Sequence, residues 1–132
     1  MKLITRNTDY ALRAICYIAK QGKLVTVADL VRMLGVPRPF MRKILQQLSK
    51  NKILESYKGQ SGGFKLRLPS KRIFVIQIMR IFQGAVGLNR CFLKKDICPN
   101  KGNCILRKKI QVIENNVLSQ LKQISVAALI QG

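Results

Sequence analysis

Three cysteines near one another are the residues of this chain best suited to chemistry. Cys91, Cys98 and Cys104 are separated by six and then five residues. Pro99 and Gly102 favour irregular backbone, so three thiolates can converge on one point. Such soft ligands favour an iron-sulfur cluster, zinc or copper(I), and neither interval has the two-residue spacing of a structural zinc knuckle. Zinc is therefore the weaker prediction.

The identity of a fourth ligand is open, because the chain contains no histidine. A cluster generally takes four protein ligands, which leaves Cys16, a carboxylate or an exogenous group. Asp96 lies within the cysteine segment and Asp9 lies at the start of the first predicted helix. Cys16 falls on the apolar face of that helix, where a cysteine is usually a small buried hydrophobe.

The same cysteines also fit a thiol redox switch without any cluster. Basic residues surround them in the sequence, and positive charge favours the thiolate, which both binds metals and reacts with oxidants. These neighbours are Arg90, Lys94, Lys95, Lys101, Arg107 and Lys108.

The charge of the chain predicts a polyanionic partner. The 132 residues include 25 Lys and Arg against 5 Asp and Glu, a net charge of +20. Such self-repulsion favours binding to nucleic acid, and a membrane surface is the lesser alternative. The N-terminal segment carries Arg6, Asp9 and Arg13 and so does not resemble an export signal or a membrane span. We therefore expect a cytoplasmic protein, and with no recognisable catalytic constellation we do not expect an enzyme.

Three helices are predicted at the start of the chain, and the second and third form a helix-turn-helix arrangement. The first covers residues 7–21, with Thr8 as its cap and Gly22 as its stop. Thr26 caps a second helix that ends at Gly35, and a third runs from residue 38 or 39 to about 51. A polar and basic outer face on the third helix is typical of a recognition helix in the major groove.

A β-hairpin then completes a winged helix, which gives a mainly α fold with a small β-hairpin wing. The predicted strands cover residues 53–58 and 64–68, with a flexible turn between them. Bases and phosphates are predicted to contact the third helix and the wing. The predicted DNA-binding residues are Arg38, Pro39, Arg42, Lys43, Gln46, Gln47, Lys58, Gln60, Ser61 and Lys65.

The rest of the chain predicts a dimer. A fourth apolar helix covers residues 73–82, and a long one covers about 105–124, with apolar residues at steps of three or four. One helix cannot bury so long a seam alone, so a homodimer is expected. Residues 125–130 are either a short helix or a frayed end. We divide the chain into a DNA-binding domain (1–83), a cysteine-rich loop (84–104), and a dimerisation helix with its tail (105–132).

Four motifs occur in order along the chain: the opening Thr-Asp-Tyr-Ala-Leu-Arg-Ala at 8–14, the Leu-Gln-Gln-Leu-Ser-Lys-Asn-Lys-Ile-Leu run at 45–54, the wing at 58–64 and the cysteine triplet. In these motifs the chain resembles the Rrf-two (Rrf2) family of dimeric winged-helix transcription regulators, which includes IscR-like, NsrR-like and CymR-like members. The resemblance implies a repressor that binds a palindromic operator. It also implies that Cys91, Cys98 and Cys104 hold a 2Fe-2S or 4Fe-4S cluster that senses iron, oxygen or nitric oxide.

The same resemblance implies a fourth ligand. IscR-like members carry a histidine where this chain has Arg107, which cannot deprotonate to become a ligand. NsrR-like members use an aspartate of the partner subunit at the position of Asp9, which makes Asp9 the predicted ligand. CymR-like members lack the cysteine set, so the triplet argues against that branch.

Overall fold

The computed structural model describes residues 3–84 and 104–131, which form six α-helices, a 3-10 turn and one antiparallel hairpin. The predicted mainly α fold with a hairpin wing is confirmed. Its elements in chain order are α1 (Arg6–Gln21), α2 (Val27–Leu34), α3 (Arg38–Lys50), β1 (Leu54–Tyr57), β2 (Gly63–Leu66), the 3-10 turn (Ser70–Arg72), α4 (Val75–Gln83), α5 (Ile105–Leu121) and α6 (Val126–Ile130).

Helix α1 begins earlier than predicted, and Thr8 is not its cap. The side chain of Thr5 accepts a hydrogen bond from the backbone N–H of Thr8 at 3.4 Å, which places Thr5 at the N-cap. Thr8 instead lies inside the helix with no exposed surface, and its hydroxyl is 3.1 Å from that of Thr5. The predicted stop is correct, because Gly22 has the left-handed φ of 64°.

The helix-turn-helix forms as predicted. Thr26 caps α2 through the N–H of Asp29, and the Asp29 carboxylate accepts in return from the N–H of Thr26. These bonds lower the pKa of Asp29. Gly35 ends the helix with a φ of 67°. Helix α3 then places four apolar side chains in the core and leaves its charged and glutamine side chains outside; the buried residues are Met41, Ile44, Leu45 and Leu48.

The wing hairpin is fixed to the helices by a short backbone bridge. Strands β1 and β2 pair with Leu54 opposite Leu66 and Tyr57 opposite Gly63, so both are shorter than predicted. The backbones of Val25 and Phe64 exchange two hydrogen bonds of 2.8 and 2.9 Å. A Cβ atom at Gly63 would lie 2.8 Å from the Val25 carbonyl oxygen, so this close approach requires glycine.

The end of the chain folds back onto its beginning. Helix α5 ends at Leu121 rather than near 124, because the next residues become extended and pair with the residues before α4. Val75 donates its N–H to the Ile124 carbonyl at 2.9 Å, and Val126 donates to the Ile73 carbonyl at 2.7 Å. The same pairing starts α4 at Val75 instead of residue 73. Residues 126–130 form α6, which packs on α1 with Val126 fully buried.

Candidate functional site

Helix α3 presents a basic face without any acidic residue. Between Asp29 and Glu55 the sequence contains no Asp or Glu. The buried apolar side of α3 fixes the helix against the core, so the opposite side is held outward. The exposed residues on that side are Arg38, Pro39, Phe40, Arg42, Lys43, Gln46, Gln47 and Lys50. Positive charge on a rigid, convex helix is suited to a phosphate backbone and to the donor and acceptor groups of the major groove.

The N-terminus of α3 has no side-chain cap. Pro37 occupies the N-cap and accepts only a backbone bond, from the N–H of Met41 at 3.1 Å. Because the amides of Arg38 and Phe40 lie in the first turn, they have no intrahelical carbonyl to bond. Such amides, together with the helix dipole, attract a phosphate group.

The wing presents its predicted residues to the outside. Lys58, Gln60, Ser61 and Lys65 are all exposed. The Lys65 ammonium lies 5.0 Å from the centre of the Tyr57 ring, whose hydroxyl donates to Glu55 at 3.1 Å. The contact with Tyr57 raises the pKa of Lys65.

The end of α4 is joined to two other elements by glutamine side chains. Gln47 of α3 donates to the carbonyl of Ile81 at 3.3 Å. Gln83 accepts from the N–H of Thr5 at 3.0 Å and donates to the carbonyl of Leu3 at 3.1 Å. Both the recognition helix and the segment before α1 therefore contact the last turn of the helix that leads into residues 85–103.

Cys104 lies at the start of α5, where the predicted cluster loop ends. Its sulfur accepts a hydrogen bond from the N–H of Arg107 at 3.4 Å and so caps the helix. This position suits a negatively charged ligand atom, because a helix N-terminus carries partial positive charge. Cys91, Cys98 and Asp96 lie outside the described residues. Within 3–84 and 104–131 there is no group of three or more potential metal ligands.

Asp9 lies in the first turn of α1 and forms an ion pair with Arg13. The carboxylate oxygen is 2.9 Å from Nε of Arg13, and its side chain is 46% exposed. The structure of one subunit does not bring Asp9 and Cys104 together in a described contact. The sequence prediction for Asp9 requires the partner subunit.

Cys16 is packed into the protein and differs in character from Cys104. It is half-buried and contacts the hydrophobic core. Burial raises the pKa of the Cys16 thiol, with a smaller opposing effect from Lys20. This environment agrees with the expected packing role.

Helix α5 leaves large apolar side chains uncovered in the single chain. Ile105 and Leu106 are 72% and 70% exposed, and Val112 and Ile113 are 59% and 51% exposed. Further along, Val117 packs against the core and Leu121 is buried. The first three turns of α5 therefore extend away from the subunit core.

Two residues of interest were not anticipated from the sequence. Phe40 was not included among the residues of the recognition helix, although an aromatic residue on its polar face was a visible signal. Gln83 fell one residue past the predicted fourth helix, and no sequence pattern marks its long-range contacts with Leu3 and Thr5.

Comparison with known proteins gives consistent similarities. The Rrf2 family model, described as an iron-dependent transcriptional regulator, matches residues 4–132. A helix-turn-helix transcriptional regulator of Aquifex aeolicus (strain VF5) is 30% identical over 131 residues, covering 97% of this chain and 91% of that protein.

Solved structures show the same fold at low identity. CymR, the global cysteine regulator of B. subtilis, superposes with a TM-score of 0.83 at 18% identity, covering 99% of this chain and 98% of that one. T. potens IscR superposes with a TM-score of 0.78 at 16% identity, covering 99% and 87%. Among the described residues, no helix is both long and apolar enough to cross a membrane.

Proposed function

Because this chain belongs to the Rrf2 family of transcription regulators, which are DNA-binding proteins rather than enzymes, we propose that it binds an operator as a homodimer and that an iron-sulfur cluster controls its affinity. The observation that carries the DNA-binding part is the acid-free basic face of α3. Helix α3 reads the major groove, and the wing contacts the flanking backbone. Repression is the expected outcome, since a bound dimer covers its operator.

The predicted DNA-binding residues have two roles, according to their position. Arg38, Arg42, Lys43 and Gln46 project from the recognition helix and can reach base edges, where Arg and Lys pair with guanine and Gln with adenine. The wing residues Lys58, Gln60, Ser61 and Lys65 lie at an exposed turn suited to phosphates. Gln47 and Pro39 belong to the same helix face, and Gln47 also bonds the end of α4.

The exposed apolar surface of α5 supports a dimer. Four side chains, Ile105, Leu106, Val112 and Ile113, are at least half exposed in the single chain. Covering them with the same helix of a second subunit removes this surface from water and forms a two-fold symmetric interface. Such symmetry matches a palindromic operator with two half-sites.

The donor set fits an iron-sulfur cluster as far as it is described. Cys104 offers a sulfur at a helix N-terminus, and Cys91 and Cys98 would complete three thiolate ligands. Asp9 would supply oxygen from the partner subunit, for which it must leave its ion pair with Arg13. When bound, the group supplies a change of charge and ligand number in response to iron, oxygen or nitric oxide.

Contacts at the end of α4 provide a route from the cysteine loop to the DNA. Gln83 holds the segment that precedes α1 and Asp9, and Gln47 joins the recognition helix to Ile81. A displacement of the last turn of α4 would change the support of α3 through the Gln47–Ile81 bond. Two packings that differ by a few kcal/mol are sufficient for such a switch.

The test is purification without oxygen, followed by visible absorption and assays of iron and sulfide. Broad brown absorption with matching iron and sulfide is expected for the parent protein. Cys104→Ala should lose the chromophore, whereas Cys16→Ala, a matched substitution in the core, should retain it. Colourless, iron-free protein that also resists reconstitution would reject the cluster.

A cluster-free thiol switch on the same fold is the second candidate. It is favoured by the free Cys104 thiol at a helix N-terminus, beside Arg107 and Lys108. This candidate requires DNA binding that changes with peroxide and recovers with dithiothreitol in iron-free protein. Iron-free protein whose DNA affinity does not respond to either reagent would exclude it.

A further inference from the structure

Phe40 is an exposed aromatic residue in the first turn of α3. Its side chain is 54% exposed, and it occupies the third position of the helix. The N-terminal residues of a recognition helix are those that contact base edges. Met33 of α2 is similarly exposed, at 55%. Single exposed apolar residues are common on protein surfaces, and the position of Phe40 at the start of α3 is what distinguishes it.

The first turn of α3 is chemically unusual for a surface that reads bases. Pro37, Pro39 and Phe40 have no side-chain group that can donate or accept a hydrogen bond. Arg38 and Arg42 flank them and are suited to hold this turn against phosphates or guanine. In the major groove the one apolar group that a base presents is the C5-methyl of thymine. An apolar tip between cations therefore matches a thymine.

We propose that Phe40 is a specificity-determining residue that contacts the methyl group of a thymine in each operator half-site. This inference rests on the proposed reading of the major groove by α3. This contact removes apolar surface of both the Phe40 ring and the thymine methyl from water, and that burial is the source of the added affinity. The protein would identify this A·T base pair by the thymine methyl group alone, without a hydrogen bond to either base.

The test begins by selecting tight-binding duplexes from a random pool with the oxygen-free parent protein. Each thymine of the selected operator is then replaced in turn by deoxyuridine, which keeps base pairing and removes the methyl. Dissociation constants are measured by fluorescence anisotropy. At one thymine position per half-site, replacement by deoxyuridine should raise the dissociation constant of the parent protein about fourfold, which is the loss expected for one methyl-sized group.

Variants separate the role of Phe40 from a general loss of binding. Phe40→Ala should bind the thymine and deoxyuridine duplexes equally, while Phe40→Leu retains part of the difference. Lys58→Ala, on the wing, should bind more weakly and keep the full difference. Circular dichroism should give the parent melting temperature for Phe40→Ala, since the ring is exposed.

The outcomes distinguish two failures. If the parent protein enriches no sequence, both the sequence-specific function and the role of Phe40 are rejected. If an operator is enriched but no thymine methyl matters, or its effect persists in Phe40→Ala, the role of Phe40 alone is rejected.

Discussion

Individual side chains on the exposed surface divide into those that discriminate between DNA sequences and those that provide charge. Arg42 and Lys58 carry the same charge but occupy different places, one on the recognition helix and the other at the wing turn. An arginine that forms two hydrogen bonds to one guanine adds affinity for that sequence, whereas a lysine on a phosphate adds similar affinity for every sequence. The two residues therefore make a matched pair for experiment.

We predict that Arg42→Ala weakens operator binding by about 1–3 kcal/mol and random-DNA binding much less. Lys58→Ala should weaken both by similar factors and reduce the slope of log affinity against log salt by about one. Titrations of operator and random duplexes at several salt concentrations measure both quantities. Equal losses on the two duplexes for Arg42→Ala would exclude a base-reading role.

Cys16 should react with alkylating reagents more slowly in the native protein than in the unfolded chain. Burial raises its pKa above the ordinary value of 9.0, so its thiolate fraction at any given pH falls below that of an open thiol. In cluster-free protein, iodoacetamide labelling of Cys16 should rise at higher pH than in the urea-unfolded chain. Peptide mass spectrometry between pH 7 and 10 gives the two profiles, and coincident profiles would contradict the assigned burial.

At the scale of elements, local patterns predicted the helix-turn-helix well because its signals are short-range. The Thr26 cap, the two left-handed glycines at 22 and 35 and the periodic apolar face of α3 each act within a few residues. The ends that were predicted wrongly depend on distant partners. Helix α5 stops at Leu121 because residues beyond it pair with the strand-like segment at 73–75, which no local signal reveals.

In the candidate site, too, the features that depend on local sequence were predicted and those that depend on distant residues were not. The exposed positions of the basic residues on α3 and the wing follow from period and turn chemistry. The bonds from Gln47 to Ile81 and from Gln83 to Leu3 and Thr5 join residues 34, 80 and 78 positions apart. They depend on tertiary packing. The ligand sets at Cys91, Cys98, Cys104 and Asp9 remain predictions of the sequence.

Helix α5 offers a direct test of the dimer. Ile113→Asp places a charge on its exposed apolar surface and should weaken dimerisation by roughly two orders of magnitude, because two carboxylates lose water at a symmetric interface. Asn115→Asp is the matched control: the same helix gains the same charge at an exposed residue that already accepts from Gln111. Analytical ultracentrifugation over a concentration series measures both constants. A dimer unaffected by Ile113→Asp would place the interface elsewhere.

For the whole molecule, the net charge of +20 supplies strong attraction to any DNA, so we propose that regulation changes the geometry of the DNA-binding surface rather than its charge. A cluster state or a thiol state alters the charge by very few units against this background. A mechanical route from the loop to α3 is therefore more effective than an electrostatic one. The glutamine contacts at the last turn of α4 are the described contacts that we propose for such a route.

Gln83→Ala tests this route without altering a predicted DNA contact. The proposed route requires that the two hydrogen bonds of Gln83 are made in only one of the two cluster states. Because each contributes about 1 kcal/mol, their removal should then reduce the ratio of operator affinities between the cluster-loaded and cluster-free forms by about 5- to 30-fold. Gln123→Ala, in the exposed link between α5 and α6, is the matched control and should leave the ratio unchanged. Operator titrations of both forms of each variant give the ratios. If the Gln83→Ala ratio equals that of the parent protein, the two Gln83 hydrogen bonds do not transmit the signal, and the coupling would have to use another contact, such as the Gln47–Ile81 bond or the predicted Asp9 ligand.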